Sequence, residues 1–154
     1  MTSQNEQSTL FGDPKDKKQY YDIIKWMSFC NSEVLASLVD TMLPLAGYVP
    51  YDKERVDATW KRSERAVGVV EEELANKTYL VGDQLTLADV FCAGLLSGGF
   101  TYFYGKTWRE EHPNTARWFE HVRTQPIYAD VTGTFEYLDE PKMTNTPPEK
   151  KTEA

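Results

Sequence analysis

A helix start directly precedes an uncharged run near the middle of the chain. Thr86 is a favourable N-cap residue, and the carboxylate of Asp89 can reach back to its N–H, which makes a capping box with Asp in place of the usual Glu. Leu85 and Val90 flank this box at the spacing of a hydrophobic staple. Residues 90–100 carry no charged side chain, and a helix without a polar face is buried on all sides. The sequence therefore predicts a capped, fully buried helix at the centre of the fold.

Two long helical patterns precede this segment. In the first, Asp13 is the predicted N-cap, Pro14 takes the first helical position, and apolar residues recur at helical spacing to about Leu43. In the second, Asp52 is the predicted N-cap of a helix that reaches about Ala75. Because only a short connection separates the two patterns, we expect a helical hairpin.

The C-terminal half continues the helical pattern. Residues 79–81 could form a strand in isolation, but the sequence has no second strand signal, so we interpret them as a loop. Further helices are predicted to begin near Pro113 and at Pro126. The apolar stripe of the last helix is formed by Ile127, Val131, Phe135 and Leu138. Together these patterns predict an all-α fold.

The composition divides the chain into three segments. A polar N-terminal segment covers residues 1–12, and the helical patterns occupy residues 13–139. Residues 140–154 are rich in Pro, Thr and Lys, which is typical of a linker or tail with no means of burying surface. The whole chain of 154 residues is close to the usual size of one domain.

Charge and cysteine usage limit the possible partners and the compartment. A net charge of −7 disfavours direct binding to nucleic acid or to anionic membranes. No apolar run is long enough to span a bilayer. Cys30 and Cys92 lie in apolar helical stretches, which is typical of buried thiols in a reducing compartment. We therefore expect a cytoplasmic protein.

The residues that could carry chemistry do not form a recognisable catalytic, cofactor or metal site. His112 and His121 have no carboxylate or cysteine at ligand spacing, and no hydrolase, metalloprotease or nucleotide-binding motif occurs. We interpret both histidines as surface or capping residues. The sequence thus predicts no catalytic residue, no cofactor-binding residue and no metal ligand.

Three segments resemble known families. Residues 79–89, YLVGDQLTLAD, resemble the signature that leads into the central helix of the glutathione-transferase C-terminal domain. Residues 24–33, IKWMSFCNSE, and residues 108–128, which contain WREEHPN, RWFEHV and QPIY, resemble the gamma-subunit family of translation elongation factor 1. The likeness is to the fungal-type sequences of that family and extends over roughly residues 15–151.

The resemblance implies a helical bundle of the glutathione-transferase C-terminal type, with the thioredoxin-like half that carries the glutathione site absent. It also implies a non-catalytic scaffold of the elongation factor 1B complex, which binds the N-terminal region of the guanine-nucleotide-exchange subunit. Two alternatives stay open. One is the helical half of a glutathione transferase, in which residues 20–27 line the pocket for the electrophile. The other is a transferase-like scaffold of an aminoacyl-tRNA synthetase assembly.

The resemblance further implies an exposed surface where the absent half would pack. Phe11, Tyr20 and Tyr21 are the apolar candidates for this surface, and an exposed patch of this kind promotes self-association. The two tyrosines could also donate hydrogen bonds to a ligand, although half-buried packing is the commoner role of such residues. Trp26 lies off the main apolar stripe of the first helix, so it belongs either to a contact surface or to a second buried face.

Overall fold

The computed structural model describes residues 10–148, and these residues form helices and connecting loops without any β-strand. The predicted all-α fold is therefore confirmed for this part of the chain. The helices are α1 (Lys17–Phe29), a π-helical segment (Cys30–Leu35), α2 (Ala36–Leu45), α3 (Lys53–Glu73), a 3₁₀ turn (Leu74–Asn76), α4 (Leu87–Tyr102), α5 (Lys106–Glu111), α6 (Pro113–Arg123) and α7 (Pro126–Thr132). None of these helices combines the length and apolarity that crossing a bilayer needs.

The first helical stretch begins later than predicted. Helix α1 starts at Lys17, because the side chain of Asp16 accepts the N–H of Gln19 at 3.1 Å and caps the helix. The prediction of Asp13 as the N-cap and Pro14 as the first helical residue is wrong. The Asp13 carboxylate instead accepts the N–H of Lys15, two residues later, which makes it part of the turn that leads into the helix.

The second helix matches its predicted limits. The Asp52 carboxylate accepts the N–H of Arg55 at 2.9 Å, and α3 runs from Lys53 to Glu73 before it tightens into the 3₁₀ turn. Helix α3 packs against α2, and its buried side includes Val56, Val67 and Val70. The two helices form the predicted hairpin.

Helix α4 lies in the middle of the bundle. Helix α1, the π-helical segment and α6 all pack against it. Its buried side chains include Cys92, Leu96 and Phe100, and the Phe100 ring stacks on the ring of Phe119 from α6 with centroids 4.0 Å apart. These contacts form the main hydrophobic core.

The end of the helical region differs from the prediction. Helix α6 begins at Pro113 as predicted, but α7 ends at Thr132, because Gly133 adopts a φ of 69° there. The predicted apolar stripe of this helix is wrong: Ile127 and Val131 are exposed, and Tyr128 is the buried residue.

Residues 138–148, which we call the strap, fold back across the bundle. The N–H of Lys106 donates to the carbonyl of Asp139 at 2.8 Å, and the N–H of Met143 donates to the carbonyl of Tyr102 at 3.0 Å. The prediction that the C-terminal segment has no means of burying surface is therefore wrong up to residue 148. Residues 1–9 and 149–154 lie outside the described part of the chain.

Candidate functional site

The carboxylate of Asp89 is fully buried and connects three parts of the chain. Its Oδ1 accepts the N–H of Leu80 and the indole N–H of Trp118, both at 2.9 Å. Its Oδ2 accepts the N–H of Thr86 at 2.9 Å and the Thr86 hydroxyl at 3.0 Å. These donors replace the water that the carboxylate loses on burial. Asp89 thereby holds the preceding loop, the start of α4 and helix α6 together.

The capping box predicted at Thr86 and Asp89 is present at the start of α4. The sequence indicated this local part, because it depends on residues three positions apart. It did not indicate the bonds to Leu80 and Trp118, which depend on the fold. Leu85 and Val90 are both half-buried against the core, and the hydrophobic staple between them stays a prediction.

The opposite side of α4 is open. Gly94 is exposed, Phe91 and Gly98 are half-buried, and the three residues recur at helical spacing on one face. Within residues 10–148, a methyl group placed on Gly94 or Gly98 would meet no atom of a neighbouring element within 4 Å. The prediction that α4 is buried on all sides is therefore wrong. The described helices cover only the side that carries Asp89.

Helix α1, which packs against α4, carries a second set of exposed apolar side chains. Tyr20 is 45% exposed, Tyr21 is 66% exposed and Ile24 is 42% exposed. The two tyrosine rings touch edge to face, with centroids 5.8 Å apart. We call Tyr20, Tyr21 and Ile24 of α1, together with Phe91, Gly94 and Gly98 of α4, the open face. Such a set of apolar groups on two contacting helices is typical of a surface that another chain segment covers.

The other two candidate surface residues behave differently. Trp26 is only 5% exposed and packs edge to face on Phe29, so it covers a buried face and does not belong to the contact surface. Phe11 is half-buried, beside Leu10, whose carbonyl accepts the N–H of Leu87 at the start of α4. The sequence pattern did not identify Ile24 as a surface residue, because Ile24 continues the apolar stripe of α1. This stripe is wider than the core can cover.

The histidines and cysteines have structural partners. The ring of His112 stacks on Trp108 with centroids 4.1 Å apart, and His121 forms a hydrogen bond of 2.9 Å with the Tyr79 hydroxyl. The neighbouring Cys30 thiol and burial raise the pKa of the Cys92 thiol well above its usual range, which disfavours the reactive thiolate. Among residues 10–148, no group of three or more His, Cys, Asp or Glu side chains is arranged to hold a metal ion.

The chain is similar in sequence to known proteins over most of its length. Residues 23–126 match the family model of the glutathione S-transferase C-terminal domain. Glutathione S-transferase psoE of Aspergillus fumigatus is 57% identical over 153 residues, which are 99% of this chain and 64% of that protein. Elongation factor 1-gamma 1 of Saccharomyces cerevisiae is 34% identical over 132 residues, which are 86% of this chain and 32% of that protein.

A solved structure also has the same fold. The crystal structure of the glutathione-transferase-like domain of elongation factor 1-gamma from Saccharomyces cerevisiae superposes with a TM-score of 0.84 at 33% identity. The match covers 92% of this chain and 63% of that one. This chain thus spans 64% of psoE and a smaller share of elongation factor 1-gamma 1. The chain belongs to the glutathione S-transferase C-terminal domain family.

Proposed function

We propose that this chain is the helical half of a glutathione-transferase-type protein and that its open face is the seat for a glutathione-binding half. The observation that carries this proposal is the 57% identity to glutathione S-transferase psoE over nearly the entire chain. The open face supports it, because apolar side chains of two contacting helices lie exposed there. Burying them against a second half would remove apolar surface from water.

Tyr20 and Ile24 give this half its role in the reaction. Both are exposed on the first turns of α1, so they can form one wall of a cleft between two halves. An apolar wall of this kind binds the electrophile, and the Tyr20 hydroxyl can donate a hydrogen bond to it. The activation of the glutathione thiol would come from the other half. By itself, this chain is expected to be catalytically inactive.

A fusion protein tests the proposal. The portion of psoE that this chain does not match is joined to the chain in the order found in psoE, and conjugation of glutathione to 1-chloro-2,4-dinitrobenzene is followed by absorbance. We expect activity from the fusion and background rates from the 154-residue chain. A folded fusion without activity would contradict the proposal.

The uncovered open face predicts a second property of the chain alone. We expect concentration-dependent self-association, because exposed apolar groups associate when no partner covers them. Sedimentation velocity over a wide concentration range measures it. A lysine in place of Ile24 is expected to abolish the association, while a lysine in place of Val131, an exposed residue of α7, is the matched control.

The second candidate function is a cytoplasmic scaffold of the elongation factor 1B complex. It is favoured by the TM-score of 0.84 to the elongation factor 1-gamma domain. In this case the partner is the N-terminal region of the guanine-nucleotide-exchange subunit. Gel filtration of that region with the fusion protein separates the two candidates. A stable complex together with background conjugation would favour the scaffold, and activity without a complex would favour the transferase.

A further inference from the structure

A cavity of about 260 Å³ lies at the end of the bundle between α2, α3 and the strap. Most of its lining is apolar, and its main walls are formed by Leu45, Val56, Trp60, Phe103 and Met143. No residue of α1 contributes to it. The cavity, which we call the strap cavity, is therefore separate from the open face and from the proposed transferase function.

The strap forms the outer wall of this cavity. The Asn145 amide donates to the carbonyl of Lys53 and to the carboxylate of Asp57, and its oxygen accepts the hydroxyl of Tyr51 at 2.9 Å. The N–H of Met143 is held by the carbonyl of Tyr102. Polar bonds thus anchor the strap, while its contact with the apolar walls is incomplete.

A second cavity of about 240 Å³ lies against Leu45, Thr144 and Pro148. Met143 lines both cavities, so the strap has empty space on two sides at this point. The strap cavity opens to solvent, so its apolar walls stay in contact with water when no ligand fills it. A ligand that fills the cavity would remove this apolar surface from water, and the strap has room to adjust to it.

The walls define the kind of molecule that fits. Trp60 is half-buried, and its ring lies 5.4 Å from that of Phe103 and 6.3 Å from that of Tyr104, which provides an aromatic surface for stacking. An apolar cavity of about 150 Å³ holds benzene, so the larger strap cavity has space for two fused rings. An ionic group would lose its water on entering this mostly apolar lining, so the cavity disfavours charged molecules.

We propose that the strap cavity binds a small, neutral, two-ring aromatic molecule, which packs against Trp60 beneath the strap. The aromatic wall supplies the contact energy, and the mostly apolar lining disfavours negatively charged analogues, which would lose hydration on entry. The site needs no residue of the open face, so it is expected to work in the 154-residue chain alone.

A titration with 2-naphthol tests the proposal. The probe is added to the isotope-labelled chain, and the indole N–H signals of the tryptophans and the methyl signals of the methionines are followed by NMR. We expect saturable shifts at Trp60 and Met143, and binding of naphthalene-2-sulfonate that is weaker by about tenfold or more. Absence of shifts at these residues, or equal binding of the sulfonate, would overturn the proposal.

Two tryptophan substitutions on the strap provide a matched pair. Met143→Trp places a large side chain into the cavity and is expected to weaken 2-naphthol binding by about tenfold or more. Lys142→Trp adds the same group at the exposed neighbouring residue, which does not line the strap cavity, and is expected to change binding by less than about twofold. Equal binding by both variants would overturn the proposal. If Met143→Trp fails to fold, the NMR shifts of Trp60 and Met143 in the unsubstituted chain still test the proposal.

Discussion

The two sides of helix α4 have opposite characters, although residues 90–102 of the helix carry no charged side chain. On one side, Asp89 is fully buried with four bound donors, and Gly99 lies against the ring of Tyr104. On the other side, Gly94 and Gly98 have open space around them. The same residue type, glycine, is thus required by close packing on one side, while on the other side it has no close neighbour in the described part of the chain.

This difference shows that an apolar helix is not necessarily enclosed by its own domain. On the Asp89 side, the carboxylate has four donors and the Phe100 ring is stacked, all within residues 10–148. On the open face, the rings of Tyr20 and Tyr21 stay exposed, which raises the free energy of the isolated chain in water. We infer that the Asp89 side stabilises the fold, and that the open face is reserved for interaction with another part of a longer protein.

The largest effect is expected on the Asp89 side. Asp89→Ala leaves the buried indole N–H of Trp118 and the N–H of Leu80 without acceptors, and we expect a loss of about 3–4 kcal/mol in the free energy of unfolding. Urea denaturation measures this loss. A loss below about 1 kcal/mol would mean that the capping box alone matters.

Gly99→Ala tests the close packing on the same side. A methyl group at this position would overlap the ring of Tyr104, so we expect a loss of about 2 kcal/mol in the free energy of unfolding. Thermal and urea denaturation both detect a change of this size. An unchanged stability would show that the Tyr104 ring can move aside.

Thr86→Ala separates the cap from the rest of the Asp89 network. The substitution removes the hydroxyl bond to Asp89 but keeps the other three donors, so we expect a loss of about 1 kcal/mol. Urea denaturation of Thr86→Ala and of Asp89→Ala compares the two losses. Losses of equal size in both variants would contradict the central role given to the carboxylate.

Glu71, on α3, anchors the start of helix α6. Burial opposes its negative charge, but hydrogen bonds from Thr115 and Asn114 at the start of α6 outweigh it and lower the pKa of Glu71. Because the pKa is lower in the folded state, this contribution is present above pH 4.5 and is lost as the pH falls further. Glu71→Gln is expected to cost about 1 kcal/mol at pH 7 and less at pH 3. A cost independent of pH would contradict this explanation.

Gly94→Ala is expected to give the smallest change in the free energy of unfolding, and this change is a gain. The open space at this position accepts a methyl group, and Ala favours the helix over Gly, so the isolated chain is expected to gain about 0.5–1 kcal/mol. Urea denaturation of Gly94→Ala and of Gly99→Ala, its matched comparison, measures the gain expected at Gly94 and the loss expected at Gly99. A loss at Gly94 would show that this face is covered in the chain itself.

Local sequence patterns predicted the capping box, the Asp52 cap of α3 and the start of α6 at Pro113, because each depends on neighbouring residues. The bond between Asp89 and Trp118 joins residues that are far apart in sequence, and periodicity carries no information about it. Composition misled the prediction at the strap, whose anchor Asn145 binds partners on and before α3. Of the candidate surface residues, Tyr20 and Tyr21 are exposed, Phe11 is half-buried and Trp26 is buried.

In the proposed function, the open face of α4 is the seat for a second half of a longer protein. Gly94→Leu tests it most directly, measured in the chain alone and in the fusion with the unmatched part of psoE. We expect the chain alone to fold with unchanged or slightly higher stability, because the side chain enters open space. In the fusion, the same side chain would separate the two halves and lower the rate of glutathione conjugation by about tenfold or more. Full conjugation activity in the fused variant would contradict the account.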